Sequence, residues 1–274
     1  MPEHRFFQID AFAERPMTGG PAAVMPMDAF PEPAVMQAIA AENNLAETAF
    51  LVATGAGLWR LRWFTPLLEV PLCGHATLAS AHAVFVHLGF AGAEIGFDTA
   101  SGRLTARRLD GGRIEMDFPA QRSTRIEAPP GLAEALGAAP SEVWAAQYLL
   151  AVFDTPAQIR ALAPDLERIR SIAGTATQGR GHLICAAPGA ADGDGRYDVV
   201  SRFFAPGSGI PEDPATGSAH CAIAPLFSER LGRPELTCFQ AYPGRGADIA
   251  TRMEGDRVKL IGRARTVIEG VFRL

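Results

Sequence analysis

Short runs rich in β-branched and aromatic residues recur along the chain, at residues 6–12, 48–52, 58–64, 113–118, 197–204 and 266–272. Gly or Pro bounds most of them, so they predict strands. Helical patterns are fewer: residues 33–43, 77–88 up to Gly89, 157–172, and 218–231 up to Gly232. Many strands with few helices predict an α+β chain. The stretches 77–88 and 218–224 contain no acidic residue and no Lys or Arg. Neither therefore shows the polar stripe of a helix lying on a surface, and both are expected to be buried all round, wrapped by strands or sandwiched between sheets. Pro225 is expected to kink the second of these helices or to mark its boundary, since proline removes an interior hydrogen bond.

The same pattern contains an internal repeat. Arg62-Trp63-Phe64-Thr65-Pro66 followed by Val70-Pro71 returns as Arg202-Phe203-Phe204-Ala205-Pro206 followed by Ile210-Pro211, each position standing 140 residues from its counterpart (62 and 202, 71 and 211). An Ala-Thr pair and a helix with Ser-Ala-His follow each block, at Ala76-Thr77 with Ser80-Ala81-His82 and at Ala215-Thr216 with Ser218-Ala219-His220. Self-similarity of this kind marks duplicated architecture. If the halves face each other, both turns open on one cleft, the favoured place for a ligand. A boundary is expected near Pro119-Ala120, giving domains 1–119 and 120–265, with residues 266–274 returning to the first.

Composition narrows the class. A chain of 274 residues, 48% hydrophobic, is long enough for two domains. A charged fraction of 20% and a net charge of −5 give no general attraction to nucleic acid or to anionic membranes, so neither is expected as a partner. No stretch has the roughly 18 consecutive apolar residues of a spanning helix. The polar opening Met1-Pro2-Glu3-His4-Arg5 is not a secretory signal, so the expected location is the cytoplasm. Cys73, Cys185, Cys221 and Cys238 have no metal-site spacing and read as reduced thiols.

Chemistry concentrates at two turns and one strand. The turns, residues 71–76 and 211–218, each end at a helix start, where unpaired amides and the helix dipole favour an anion. Gly74, Ala76, Gly217 and Ser218 are the candidate substrate contacts there. For Asp213 and Ser218, ligand binding and plain helix capping are both open; for Thr77 capping is the reading. His75 is a candidate proton shuttle or hydrogen-bond donor, and His82 a satisfied core histidine. In the strand at 45–52 alternation puts Leu45, Glu47, Ala49 and Leu51 on one face, and the other face is also largely apolar. Glu47 is thus a carboxyl in desolvating surroundings, suited to general acid or base work; an exposed strand end or an Arg partner is the alternative.

Taken together, Phe7-Gln8-Ile9-Asp10-Ala11-Phe12, Asn44-Leu45-Ala46-Glu47-Thr48-Ala49-Phe50, Arg62-Trp63-Phe64-Thr65-Pro66, Cys73-Gly74-His75-Ala76-Thr77-Leu78 and Glu212-Asp213-Pro214-Ala215-Thr216-Gly217-Ser218-Ala219-His220 resemble the PhzF-like phenazine-biosynthesis isomerase family. The resemblance implies the diaminopimelate-epimerase-like fold: two pseudo-symmetric domains, each a mostly antiparallel sheet or barrel curled around a central helix, with the active site between them. It implies Glu47 as acid/base, with His75, Asp213 and Ser218 lining the site, no cofactor, no metal, and a homodimer. The family's best-known reaction moves hydrogen between ring carbons of a dihydro-hydroxyanthranilate.

Two departures stand out. Gly20 occupies the place of a common Asn in the early Gly-Asn-Pro loop of the similar proteins, which bears on substrate identity. Thiol racemases of the same fold pair two cysteines, whereas Pro214 stands opposite Cys73 here. The leading function is therefore a proton-transfer isomerase acting on a small unsaturated substrate. The alternatives are a racemase or epimerase using Cys73, or a catalytically idle binding protein.

Overall fold

Backbone pairing in the computed structural model, which describes residues 3–189 and 196–274, organises the chain as two units. Met1 and Pro2 of the polar opening lie outside the described residues. One unit is Met1–Asp117 with Ile261–Leu274; the other is Phe118–Leu260.

The first unit contains β1 (Glu3–Ala11), β2 (Gly20–Met27), α1 (Pro33–Asn43), β3 (Glu47–Gly55), β4 (Leu58–Phe64), β5 (Glu69–Val70), α2 (Gly74–His82), β6 (Glu94–Thr99), β7 (Gly102–Arg108) and β8 (Ile114–Pro119), in which the chain passes to the second unit. The second contains β9 (Thr124–Ile126), α3 (Leu132–Leu136), β10 (Glu142–Ala145), β11 (Leu149–Val152), α4 (Pro156–Ala161), α5 (Leu166–Thr177), β12 (Leu183–Pro188), β13 (Val199–Ala205), β14 (Ile210–Asp213), α6 (Gly217–Leu231), β15 (Glu235–Gln240), β16 (Ala247–Glu254) and β17 (Arg257–Gly262). The chain then returns as β18 (Ala264–Arg273), which pairs with β1 from Ala264 onward, two residues before the start that the strand pattern marks.

The two units repeat one pairing scheme. In the first, β18–β1 and β1–β2 are antiparallel, β2–β3 parallel, β3–β4 antiparallel, β4–β6 parallel and β6–β7 antiparallel. In the second, β9–β10, β10–β11, β11–β12, β12–β13, β13–β15 and β15–β16 follow the same order with the same senses. The repeated block sits on β4 and β13 and carries one device twice. Arg62 lies over Phe64 and forks onto Glu69 of the returning strand; Arg202 lies over Phe204 and forks onto Glu212.

Each unit keeps one helix in its interior. From His75 to Ala81 every residue of α2 is buried, and the helix packs on β1, β2, β3 and β18. A helix with hydroxyls can be buried on all sides only if those hydroxyls are satisfied, because an unmade buried hydrogen bond costs about 1–3 kcal/mol. Thr77 Oγ1 donates to the Cys73 carbonyl at 2.5 Å and Ser80 Oγ to the Ala76 carbonyl at 2.7 Å. Thr77 therefore turns back along its own helix instead of capping it, and the helix starts three residues earlier, at Gly74. Beyond His82 the turn widens to a π-helix over Ala83–His87, and His82 Nε2 meets Thr266 Oγ1 at 3.1 Å.

In the second unit α6 packs on β12, β15 and β16 and is buried through Ser228. Pro225 neither ends nor interrupts it. Proline leaves the carbonyl four residues back without its helical donor; here that carbonyl, of Cys221, accepts from the Gln121 amide at 2.9 Å. The helix expected over 157–172 is instead α4 and α5, separated around Pro164. Proline disfavours helical geometry in the residue before it, Leu162 has already turned to ψ 131°, and Asp165 caps the new helix through the Arg168 amide. All four cysteines are buried and none is in a disulfide, and among the described residues no helix is long and apolar enough to cross a membrane.

Candidate active site

Glu47 is the first residue of β3, and its position is fixed from the preceding turn. Asn44 ends α1 in the left-handed region (φ 48°), a conformation Asn tolerates, and its amide donates to the Ala40 carbonyl. Asn43 Nδ2 donates to Thr48 Oγ1 at 3.0 Å, tying the helix end to the strand start. On β2 the register partner of Glu47 is Ala22, whose methyl leaves room beside the carboxyl. The neighbouring loop is closed by Asp10, which accepts the Met17 amide at 2.7 Å, and by Gly19 (φ 67°), where a Cβ would lie 2.1 Å from the Ala11 carbonyl oxygen. Gly20 follows in β2, buried and paired with Ala11.

The start of α2 supplies the partners of Glu47. Cys73 stands at the N-cap in extended conformation and makes no side-chain capping bond. His75 Nε2 lies 2.8 Å from Glu47 Oε2, and Cys73 Sγ lies 3.7 Å from His75 Nδ1 and 4.0 Å from Nε2. All three are buried, with Glu47 8% exposed and His75 3%. The ring N–H is not directed along the short contact, so Oε2 has a close neighbour but no aligned hydrogen bond. A buried carboxylate oxygen in that state is open to a further donor or to a proton.

Burial opposes a charge on His75, but the sulfur of Cys73 and the Glu47 carboxylate outweigh it and hold the imidazole well above its ordinary 6.5. Burial, reinforced by the charge of Glu47, pushes the Cys73 thiol up to about 11. At neutral pH the Cys73 thiol therefore keeps its proton. Because the folded value of His75 is raised, its stabilisation is complete below about pH 6.5 and is lost as pH climbs through the folded value. The stability gap between wild type and His75→Gln, read from urea unfolding, should shrink as pH rises above about 6.5. A gap that widens with pH would contradict a charged His75.

In the second unit the structure gives Asp213 and Ser218 different surroundings. The Asp213 carboxylate accepts the Thr216 hydroxyl at 2.5 Å and the Ala215 amide at 3.4 Å, holding the turn that leads into α6. Gln240 braces the same turn, accepting the Thr216 amide at 2.8 Å and donating to the Asp213 carbonyl at 2.5 Å. Ser218, beside Gly217 in the first turn, meets the Tyr148 hydroxyl at 3.0 Å. This contrasts with Thr77 and Ser80 of α2, whose hydroxyls are used up within their own helix.

Pairing register also shows residues that the motifs did not. Thr48 pairs with Phe64 and Leu183 with Phe204, the repeat partner of Phe64, so His182 holds the place in the second unit that Glu47 holds in the first. Tyr148 correspondingly takes the place of Ala22. His182 Nε2 meets Ser208 Oγ at 2.9 Å, and its ring packs against Tyr148 and Phe203. Burial and the nearby Arg180 lower its pKa to about 4, so it is neutral at pH 7. The sequence signal was hidden because the two strands stand 135 residues apart (48 and 183), not the 140 of the repeated block.

The chain matches the family described as phenazine biosynthesis-like protein over residues 9–270. Two proteins of Pseudomonas aeruginosa, each named an uncharacterized isomerase, are 43% and 42% identical to it, over 99% and 98% of this chain and 100% and 98% of their own. The crystal structure of a phenazine biosynthesis protein of the PhzF family from Enterococcus faecalis matches with a TM-score of 0.92 at 35% identity, covering 100% of both chains.

Proposed function

The chain belongs to the phenazine biosynthesis-like protein family, and from that membership we propose that it is an isomerase in which Glu47 moves a proton between carbons of a small unsaturated, carboxylate-bearing substrate. The observation that carries this reading is the buried Glu47 carboxylate, 2.8 Å from His75, with one oxygen lacking an aligned hydrogen bond. As base, the carboxylate takes a proton from carbon and becomes a neutral acid. The electron pair left behind spreads through the conjugated system toward the substrate's own carbonyl or carboxylate oxygen. As acid, Glu47 returns the same proton to a second carbon, and no net proton or electron is consumed. His75 is proposed to hold Glu47 in place between turnovers, and the first-turn amides at Gly74 and Ala76 are the proposed resting place for developing negative charge. Positioned acid/base catalysis supplies about 10²–10⁴-fold, and the burial of the pair adds to it by strengthening every charge interaction there.

In the second unit Gly217 and Ser218 are proposed as substrate contacts, with Ser218 held by Tyr148. Asp213 is proposed to act through the turn it braces. The same reading places the enzyme in the cytoplasm as a homodimer, which light scattering of the purified chain tests. The direct test of function is proton exchange. Incubated in deuterated water with a dihydro-hydroxyanthranilate as first probe, the enzyme should give a rearranged product carrying partial label, because a shielded carboxyl returns part of the abstracted proton.

A thiol mechanism makes the opposite demand on Cys73. Thiolate is the reactive form, and a buried thiol pushed up to about 11 supplies almost none at neutral pH. Cys73→Ser should keep most of the turnover, and iodoacetamide should inactivate the wild type slowly. Loss of several orders of magnitude on that single change would transfer the chemistry to sulfur.

A further inference from the structure

We propose that Glu47, Cys73 and His75 form a binding site for a soft divalent cation of the zinc class, and that its occupation shuts the acid/base site. The inhibitory half of this proposal rests on the isomerase reading; the binding half does not. One carboxylate oxygen, one thiol sulfur and one imidazole nitrogen, all buried, lie within 4.8 Å of one another. Glu47 Oε2 has no aligned hydrogen bond to give up when a cation arrives. Zinc at about 2.0–2.1 Å from nitrogen or oxygen and about 2.3 Å from sulfur separates its tetrahedral donors by about 3.3–3.6 Å. The observed separations are 2.8 Å from Nε2 to Oε2 and 3.7 or 4.0 Å from Sγ to the ring nitrogens. Those pairs need shifts of only about half an ångström, and the sulfur-to-carboxylate pair stands within 4.8 Å. Because Sγ stands at similar distances from both nitrogens, a turn of the ring about its Cβ–Cγ bond brings a nitrogen lone pair onto the metal.

The donor set selects the ion. Magnesium and calcium take oxygen ligands, whereas a mixed sulfur, nitrogen and oxygen set suits zinc and cadmium. Three protein donors leave a fourth position for water or a ligand oxygen. The donors come from the start of β3, the N-cap of α2 and its first turn, all anchored elements. Binding displaces the thiol proton of Cys73 and the proton of His75 to solvent and engages the carboxylate that the isomerase needs free. Cys73, which proton transfer does not use, thereby acquires a role as the residue that makes the site sensitive to soft metal ions.

Calorimetric titration of zinc chloride into the chelator-treated full chain should give one site per chain, and magnesium chloride should give no heat. Cys73→Ser and His75→Gln should each weaken zinc at least about tenfold. Cadmium should produce a thiolate charge-transfer band in the ultraviolet in wild type and not in Cys73→Ser, a readout independent of substrate and of the other cysteines. Zinc should inhibit wild-type turnover and leave Cys73→Ser largely unaffected. Absence of zinc binding, equal affinity in Cys73→Ser, or activation by zinc would each overturn the proposal. If Glu47→Gln kept its turnover while the cadmium band behaved as stated, the acid/base assignment of Glu47 would fall and the metal site would stand.

Discussion

Glu47→Gln should fold as wild type and bind an inert planar carboxylate such as anthranilate with little change, while turnover falls by about 10²–10⁴-fold or more. The amide keeps the side chain's shape and loses the exchangeable acid. Folding survives because the partner can adjust. The sulfur and carboxylate beside His75 raise its pKa against burial; with the carboxylate gone, burial has less opposition and the ring can be neutral, leaving no stranded charge. Titration of His75 followed by nuclear magnetic resonance should therefore show its pKa fall in the variant. Near wild-type turnover of a verified substrate by Glu47→Gln would refute the acid/base assignment and reopen the thiol reading.

Local rules were enough for the pieces of this site and not for their assembly. Alternation on both faces of 45–52 placed Glu47 in apolar surroundings, and the absence of charge in 77–88 and 218–224 marked two interior helices; the structure has both features, although beyond Ala81 the first stretch is not buried on every side and Val86 is exposed. The contact between Glu47 and His75 was not legible. It joins a strand start to a helix start across 28 positions of chain (47 and 75), and only the sheet wrapped on α2 brings them together. Single residues misled where tertiary contacts outweigh local preference. Pro225 lies within an unbroken α6 because the Gln121 amide meets the carbonyl that proline leaves free. Pro164 does divide the 157–172 stretch, with Asp165 ready to cap a second helix. Tyr148 and His182 escaped notice because unequal connections shift the repeat offset, so that only pairing register, which survives such insertions, shows their equivalence to Ala22 and Glu47.

The repeat itself leads to the largest expected change in stability, since it places one arginine fork in two environments. Arg62 and Glu69 are 26% and 39% exposed along their side chains, whereas Arg202 and Glu212 are 7% and 13%. Arg202 also donates to the carbonyls of Leu162 at 2.7 Å and Ile159 at 3.3 Å, where α4 ends. Surface pairs are worth about 0–1 kcal/mol because water competes for both partners, so Arg62→Met should cost no more than that. Removing one member of a buried pair strands the other, at about 3–5 kcal/mol. The guanidinium keeps its proton, and Arg202→Met leaves the buried Glu212 without its counter-charge and two carbonyls without their donor. Arg202→Met should therefore lower the melting temperature by about 10 °C, and adding Glu212→Leu should recover part of the loss by removing the stranded charge. Equal and small effects of the two single changes in thermal and urea melts would show that burial does not separate the forks. A double variant less stable than Arg202→Met alone would show that Glu212 contributes through packing and not through its pairing with Arg202.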